Sequence, residues 1–334
     1  MNYFDAFIRT LRDPNDVSYR QGLNHLGANG IPFARLALGG YTGPDWQLYL
    51  SDKESYFHRL DDFVACAEQA HVGLIACLFW AIGGVSEAVH EPRAAWGDPQ
   101  SATRRFMRRY TQEVVSRYAG SPAIWGWEFS CELSLPLDKR PGQGDPRRNL
   151  TLATFRSAAL DFADVVRGLD SDRILLTGNS LPRASAYHNA RPGPSSVDTE
   201  QQFAQILLRD NPGPFNPICI HASPAGTKQY FADRRVSYQE LLETCVQIGR
   251  KANKAVYLEE FIPALDKDRG VEYDEKNYFL NELKAIEASK VPLASVWVYD
   301  RKLHYDKSNI TGNNQRSYIL KMIGAFDRSI HSQQ

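Results

Sequence analysis

The sequence lacks an excess of either charge, because lysine and arginine total 39 residues and aspartate and glutamate also total 39. Proteins that bind the phosphate backbone of nucleic acid usually carry clustered positive charge, so this balance predicts no nucleic-acid partner. The sequence also lacks an apolar run of roughly 18 residues, which is the length that a membrane-spanning helix needs. We therefore expect no membrane association.

Cysteine is scarce, with five residues in 334, and these form neither a CxxC pair nor the spacing of a zinc finger. The eight histidines are scattered, and His221 alone ends a predicted strand. A metal-dependent barrel hydrolase needs histidine and carboxylate ligands that converge at strand ends, so we expect no metal and no cofactor. The N-terminus has neither the basic leader nor the apolar segment of a signal peptide, and the localisation stays open.

The sequence does contain a regular alternation of strand-like and helix-like segments. Apolar runs such as 31–38 and 73–80 alternate with amphipathic segments such as 56–71 and 101–118. Eight such units predict an α/β protein with one domain, a (β/α)8 TIM barrel over residues 1–334. Its first strand, predicted at the extreme N-terminus over Asn2 to Phe7, is short or truncated. We expect a monomer.

The fourth predicted strand ends in a carboxylate. It covers residues 123–133, AIWGWEFSCEL. Since side chains alternate along a strand, Glu128, Ser130 and Glu132 are predicted to share one face, with Glu132 at the C-terminal rim. Glu128 would lie deeper in the barrel, where a buried carboxylate needs a partner such as an arginine.

The seventh predicted strand has the same character. It covers residues 254–262, KAVYLEEFI, and ends in acids just before Pro263. Strand alternation predicts that only one of Glu259 and Glu260 can point into a cleft. In a barrel the loops at the C-terminal ends of the strands build the active site, and two carboxylates there are the minimum equipment for glycoside hydrolysis.

These two segments resemble a known family. Residues 127–132, WEFSCE, are similar to the fourth-strand signature of family 5 glycoside hydrolases, Trp-Glu-Leu-x-Asn-Glu. Residues 254–261 resemble the seventh-strand pattern of the wider clan, Lys-Pro-Val-x-x-x-Glu-Phe-Gly. The resemblance implies a cellulase- or mannanase-like retaining β-glycosidase that acts on an oligo- or polysaccharide. It also implies that Glu132 is the general acid and base, and that Glu260, the acid followed by phenylalanine, is the nucleophile.

Further residues are predicted to bind the substrate. The resemblance matches Arg35 to an arginine beside the nucleophile, His221 to the histidine of the sixth strand, and Trp297 to a tryptophan under the first sugar. Trp46 and Trp80 lie in or beside loops at the predicted rim, where aromatic rings can stack on sugars or pack in the core. The substrate-binding candidates are Arg35, Cys131, His221, Trp297, Tyr299, Trp46 and Trp80.

Two positions depart from the family pattern. Cys131 stands where the family has an asparagine that bonds the 2-hydroxyl of the sugar, and a thiol is a weak donor. Ser223 stands where a tyrosine is expected two residues after His221. These changes leave a second hypothesis open, in which the same barrel binds carbohydrate with weak catalysis or none.

The retaining mechanism sets expectations for the two acids. Glu260 must be ionised, which the nearby charge of Arg35 favours by lowering its pKa, and the charge of Glu260 would raise the pKa of Glu132. The two carboxyl groups would then lie about 5–5.5 Å apart. The loops 134–148 and 180–217 are rich in proline and glycine and carry no motif that specifies the sugar.

Overall fold

Seven parallel β-strands form the inner wall of the protein in the computed structural model, which describes residues 1–140, 150–224, 230–263, 274–303 and 308–331. The first four strands pair in order in one sheet, and the last three pair in order in another. The strands are β1 (Phe33–Ala37), β2 (Gly73–Phe79), β3 (Ile124–Ser130), β4 (Ile174–Leu176), β5 (Ile218–His221), β6 (Val256–Phe261) and β7 (Leu293–Val296).

The N-terminal residues close the ring between β1 and β7. The backbone N–H of Asn2 donates to Val296 over 2.9 Å, and that of Tyr3 donates to Arg35 over 2.8 Å. This bridge occupies the place of the first strand of eight, so the prediction of a short first strand is confirmed. The remainder of that predicted strand is wrong, because helix α1 (Ala6–Arg12) begins directly after the bridge.

The two sheets also meet at a second junction, or seam, between β4 and β5, opposite the junction between β1 and β7. Leu175 and Asn216 exchange two backbone hydrogen bonds of 3.3 and 2.9 Å, so the residue that precedes β5 by two positions joins the two sheets. With both seams bridged, the strands and the N-terminal residues make a closed (β/α)8 barrel, as predicted. The predicted fourth and seventh strands correspond to β3 and β6.

Helices surround this wall and bury one face against it. In helix α11 (Tyr238–Lys251), Ser237 caps the N-terminus by accepting from the backbone N–H of Glu240, whose carboxylate accepts from the Ser237 N–H in return. In the described residues, no helix is long and apolar enough to span a membrane. The remaining helices after α1 are α2 (Ser18–Ala28), α3 (Gln47–Ser51), α4 (Lys53–Gln69), α5 (Ile82–Ala88), α6 (Ala102–Tyr118), α7 (Ser134–Leu137), α8 (Leu152–Arg167), α9 (Ala186–Asn189), α10 (Glu200–Asp210), α11 (Tyr238–Lys251), α12 (Glu275–Ala288) and α13 (Tyr318–His331).

The inside of the barrel changes from apolar to charged along the strands. An apolar cluster that includes Phe33 and Tyr257 fills the end where the strands begin. Two residues further along the same strands lie Arg35 and Glu259, both fully buried. Charged groups are therefore held on an apolar floor, at the end of the barrel that the strand-end loops surround.

Candidate active site

Arg35 lies at the centre of the charged layer, with no exposed surface. Its Nε and Nη2 atoms each donate to one oxygen of Glu128 over 2.7 Å, while Nη1 donates to Glu260 over 2.7 Å and to Asn2 Oδ1 over 3.1 Å. The ring of Trp80 covers the guanidinium at 4.3 Å. Paired, planar hydrogen bonds of this kind fix the orientation of a carboxylate. Glu128 thus has the arginine partner that its buried position predicts.

A strained turn places Glu132 beyond the end of β3. Its backbone φ is +54°, in the left-handed region that non-glycine residues rarely occupy. Its N–H donates to the carbonyl of Gly178 over 2.7 Å, and the N–H of Ser134 donates to Asn179 Oδ1 over 3.0 Å. A methyl group at Gly178 would overlap the Ser130 carbonyl, so this close approach requires glycine. The period-two prediction therefore extends only to Ser130.

Glu259 and Glu260 both reach the charged layer. Glu259 Oε2 lies 3.9 Å from Arg35 and 3.2 Å from His221 Nε2, and Glu260 lies 2.7 and 3.6 Å from the same two residues. The prediction that they occupy opposite faces is wrong. The pairing register shifts after Leu258 against β7, and bulges of this kind re-aim side chains. Glu260 remains the more accessible of the two, since its side chain is 15% exposed and Glu259 is fully buried.

His221 lies between the two predicted catalytic acids. Its Nδ1 is 3.0 Å from Glu132 Oε1 and 3.6 Å from Glu260 Oε2. Glu132 Oε1 and Glu260 Oε2 can therefore be no farther apart than the sum of these two distances. That limit excludes nearly all of the separation of about 6.5–9.5 Å found in inverting enzymes.

The same histidine changes the electrostatics that the sequence suggests. Burial alone would lower the pKa of His221, but the charge of Glu260 and hydrogen bonds with Glu132 and Glu259 raise it to about 10. The imidazole is then a cation at neutral pH. For Glu132, burial raises the pKa, but the hydrogen bond and charge of His221 lower it below its ordinary value. The expected raised pKa of Glu132 is wrong for this arrangement, because a cation separates the two acids.

A cleft of about 490 Å³ opens beside Glu132. Its walls include Trp80, as predicted for a rim aromatic, together with Trp96 and Cys131. Trp297 is half-buried, with its ring centroid 6.2 Å from that of Trp80, so the two aromatic rings form one surface next to the acids. Both stay candidates for stacking on a sugar.

Two other predicted sugar contacts are wrong. Trp46 is fully buried and packs edge-on against Phe106 and Tyr110, so its ring completes the core under the loop after β1. Tyr299 is 5% exposed, and its hydroxyl bonds a ring nitrogen of His25 over 2.9 Å. Both faces of these rings are covered by protein, which leaves no room for a pyranose.

Cys131 Sγ lies 3.6 Å from Arg35 Nη2 and 4.0 Å from Glu260 Oε1. Its sulfur, a ring nitrogen of His221 and a carboxylate oxygen of Glu260 lie within 4.8 Å of one another, which is a possible metal-ligand set. The guanidinium of Arg35 already neutralises this pocket and would repel a cation. Burial raises the pKa of the Cys131 thiol well above its ordinary value, so the group is a neutral thiol beside Glu260.

Comparison with known proteins supports the assignment of the fold. No protein-family model matches the chain. A segment of 186 residues, 52% of the chain, is 30% identical to mannan endo-1,4-β-mannosidase A of Podospora anserina and spans 42% of that relative. The chain superposes on the endo-1,4-β-D-mannanase of Thermotoga petrophila with a TM-score of 0.67 and 13% identity, over 97% of this chain and 98% of the other. It has the barrel fold of family 5 glycoside hydrolases.

A second solved structure gives the same answer. The GH5_18 protein of Streptomyces cattleya, in complex with GlcNAc, matches 99% of this chain and 80% of its own length with a TM-score of 0.69 and 13% identity. These solved structures share the barrel fold that the resemblance implies.

Sequence reasoning does not select Glu259 as a site residue, although it lies in contact with His221. The available signal is the pair of consecutive acids at the end of β6, since two buried carboxylates in one strand require cations on the same side. Asn2 is similar: its Nδ2 donates to the Glu259 carbonyl over 2.8 Å and its Oδ1 accepts from Arg35, so the N-terminal bridge also supports the site.

Proposed function

We propose that the protein is a retaining glycoside hydrolase that cleaves a β-linked glycan, with Glu132 as general acid and base and Glu260 as nucleophile. The main support is that Nδ1 of His221 lies within 3.6 Å of the carboxylates of both Glu132 and Glu260, so the two acids flank one small space. The mannanase names of the relatives suggest a backbone of β-1,4-linked mannose or glucose.

Each step of the proposed reaction can be assigned to a described residue. Arg35 donates a hydrogen bond of 2.7 Å to Glu260 and holds this carboxylate in position to attack the anomeric carbon. Because the pKa of Glu132 is lowered, the proton for the leaving oxygen comes from His221 Nδ1, which lies 3.0 Å from Glu132 Oε1, and passes through the Glu132 carboxylate. Once Glu260 is esterified by the sugar, Glu132 removes a proton from water, and the resulting hydroxide releases the sugar with retention.

Two substitutions test these roles on an activated aryl β-glycoside. Glu132→Gln and Glu260→Ala should each lower the hydrolysis rate by about 10²–10⁴-fold or more, because general acid–base and nucleophilic groups contribute on that scale. Glu287→Gln, on the exposed face of α12, serves as the matched control and should keep full activity. Unchanged activity in either site variant, with the fold intact by circular dichroism, contradicts the assignment.

Azide separates the two roles, because a small anion can enter the space that a shortened side chain leaves. With Glu260→Ala, azide should attack the sugar directly and give an α-glycosyl azide. With Glu132→Ala, azide should attack the glycosyl-enzyme and give the β-product. The opposite stereochemistry would exchange the two assignments.

A carbohydrate-binding barrel without turnover is the second candidate function. It is favoured by the neutral thiol of Cys131 at the position next to Glu132, since a bond to the 2-hydroxyl contributes several kcal/mol to catalysis in such enzymes. Wild-type protein that binds mannose or glucose oligomers but never cleaves them supports this candidate. Cys131→Asn should then raise the rate on the aryl glycoside.

A further inference from the structure

The cleft beside Glu132 has an unusual set of charges. Three of its lining residues are exposed cations: Arg93, Lys139 and Arg183. Among the described residues, none of these three side chains has a hydrogen bond or an ion pair. Most arginines elsewhere are paired; Arg209, for example, donates to Asp138 and Asp210. Unpaired cations gathered in one cleft are available for a ligand.

Two neighbouring acids among the described residues, Asp138 and Glu87, form no ion pair with these cations, because their oxygens bond other groups. One oxygen of Asp138 accepts from Arg209 over 2.9 Å, and the other accepts from the backbone N–H of Arg183 over 2.9 Å, which leaves the Arg183 guanidinium without that carboxylate. Glu87 also lines the cleft, but its Oε2 accepts from the backbone N–H of Gly43 over 2.9 Å.

The position of the cations relates them to the reaction. Glu132 lines this cleft and Glu260 is not among its lining residues, so a ligand here lies on the side of the acid that protonates the leaving group. Arg183 lines the same cleft as Glu132, and its positive charge is one of the influences that lower the pKa of the Glu132 carboxyl. Trp80 supplies an apolar surface in the same cleft, where a sugar ring can stack.

We propose that the glycan carries an acidic group, a carboxylate or a sulfate ester, on a sugar bound beside Glu132. The inference rests on the proposed glycosidase function and narrows its substrate to an acidic glycan. Two arginines and a lysine suit such a group, since the planar guanidinium bonds an oxyanion in pairs and the ammonium adds a point charge. The volume of about 490 Å³ lies in the usual range for sites that bind small ligands.

Binding of matched trisaccharides tests the proposal. The probes are β-1,4-linked mannotriose, the corresponding mannuronate trimer and a sulfated mannotriose, titrated by calorimetry within a time in which chromatography shows no cleavage. Wild-type protein should bind at least one acidic trimer about tenfold or more tightly than the neutral trimer at low salt, a difference of about 1.4 kcal/mol. The preference should shrink at high salt, because added ions screen exposed charges. The carboxylate and sulfate arms identify which acid the cleft prefers.

A charge-matched control isolates the cleft. The triple variant Arg93→Gln, Lys139→Gln, Arg183→Gln should lose the preference for the acidic trimer and keep its affinity for the neutral one. A second triple variant, Lys251→Gln, Lys276→Gln, Lys284→Gln, removes the same charge from exposed positions on α11 and α12 and should keep the preference. The single variant Arg183→Gln, with an intermediate loss expected, replaces the triple if the triple does not fold.

The outcomes separate this proposal from the proposed function. Equal or tighter binding of the neutral trimer by wild type overturns it, and so does a loss of preference in the outer-helix variant as large as in the cleft variant. Cleavage of neutral glycans without acidic preference would overturn the inference and leave the glycosidase function standing. Preferential binding of an acidic trimer with no cleavage of any glycan would support an acidic ligand in the cleft and overturn the glycosidase function.

Discussion

Glu128 and Glu282 are both buried carboxylates, with 0% and 2% of their surface exposed, but their surroundings differ. Each oxygen of Glu128 accepts a hydrogen bond of 2.7 Å from Arg35. Among the described residues, neither oxygen of Glu282 has a partner. Burial accordingly raises the pKa of Glu282 to about 9, so this carboxyl is protonated in the folded protein at neutral pH. Burial also raises the pKa of Glu128, but there the charge and hydrogen bonds of Arg35 oppose the rise, whereas burial is the only influence on the pKa of Glu282.

The difference shows what the charged layer of the barrel requires. Taking an ion out of water costs several kcal/mol, and only close, well-oriented opposite charges offset that cost. Arg35 and His221 supply such charges to Glu128, Glu259 and Glu260. On α12, Glu282 has the cost without the compensation. The first arrangement fixes the positions of its carboxylates, whereas the second only lowers the stability of the fold.

The largest effect is expected from Arg35→Met, which removes the cation that pairs with Glu128 and Glu260 in the charged layer. It should destabilise the protein by about 3–5 kcal/mol, because deleting one partner of a buried ion pair leaves uncompensated charge. Hydrolysis of the aryl glycoside should be lost as well, since Glu260 loses its 2.7 Å contact. Urea denaturation followed by circular dichroism measures the first effect, and steady-state kinetics measures the second.

The double variant Arg35→Met, Glu128→Met is the control for that result. Replacing both partners by apolar groups removes the stranded Glu128 charge, so the double variant should recover part of the stability that the single variant loses. It should stay inactive. A single variant as stable as the wild type would show that the pairing contributes nothing, and the comparison with Glu282 would fail.

Much of the charged layer could be predicted from the sequence. Hydrophobic periodicity predicts β1 to β7 to within a few residues, although not the N-terminal strand, and the carboxylates at the ends of β3 and β6 are recognisable by their position. A buried carboxylate needs a cation, which correctly predicts an arginine partner for Glu128. These inferences hold because strand alternation and the energetics of buried charge are local rules.

The rest could not be predicted, because it depends on departures from those rules. The left-handed turn at Glu132 and the register shift beside Glu259 change where side chains point without a composition signal. Whether Trp46 lies at the rim or in the core depends on the path of its loop. Glu282 carries a readable signal, since it falls on the buried face with Phe279 and Ile286, yet periodicity does not reveal the missing partner.

A medium effect is expected from His221→Gln, and it depends on pH. The folded pKa of about 10 lies above the ordinary value of 6.5, so the stabilisation is full below about pH 6.5 and is lost as the pH rises through 10. The variant should be about 1.5–3 kcal/mol less stable than wild type at pH 6, the scale of hydrogen bonds to charged groups, and the gap should close near pH 10. Urea midpoints at pH 6, 8 and 10 measure this, and a gap that is constant with pH would contradict it.

The smallest effect, with the opposite sign, is expected from Glu282→Met. Methionine has a similar length, suits a helix interior and removes the unpartnered carboxyl, so the variant should be about 1–3 kcal/mol more stable at pH 7. The folded pKa of about 9 exceeds the ordinary 4.5, so the cost of Glu282 appears above about pH 4.5 and grows until pH 9. The gain should therefore be smallest near pH 4.5, measured by urea denaturation. Glu287→Met, exposed on the same helix, should change little, and an equal gain there would mean that helix propensity rather than burial explains the result.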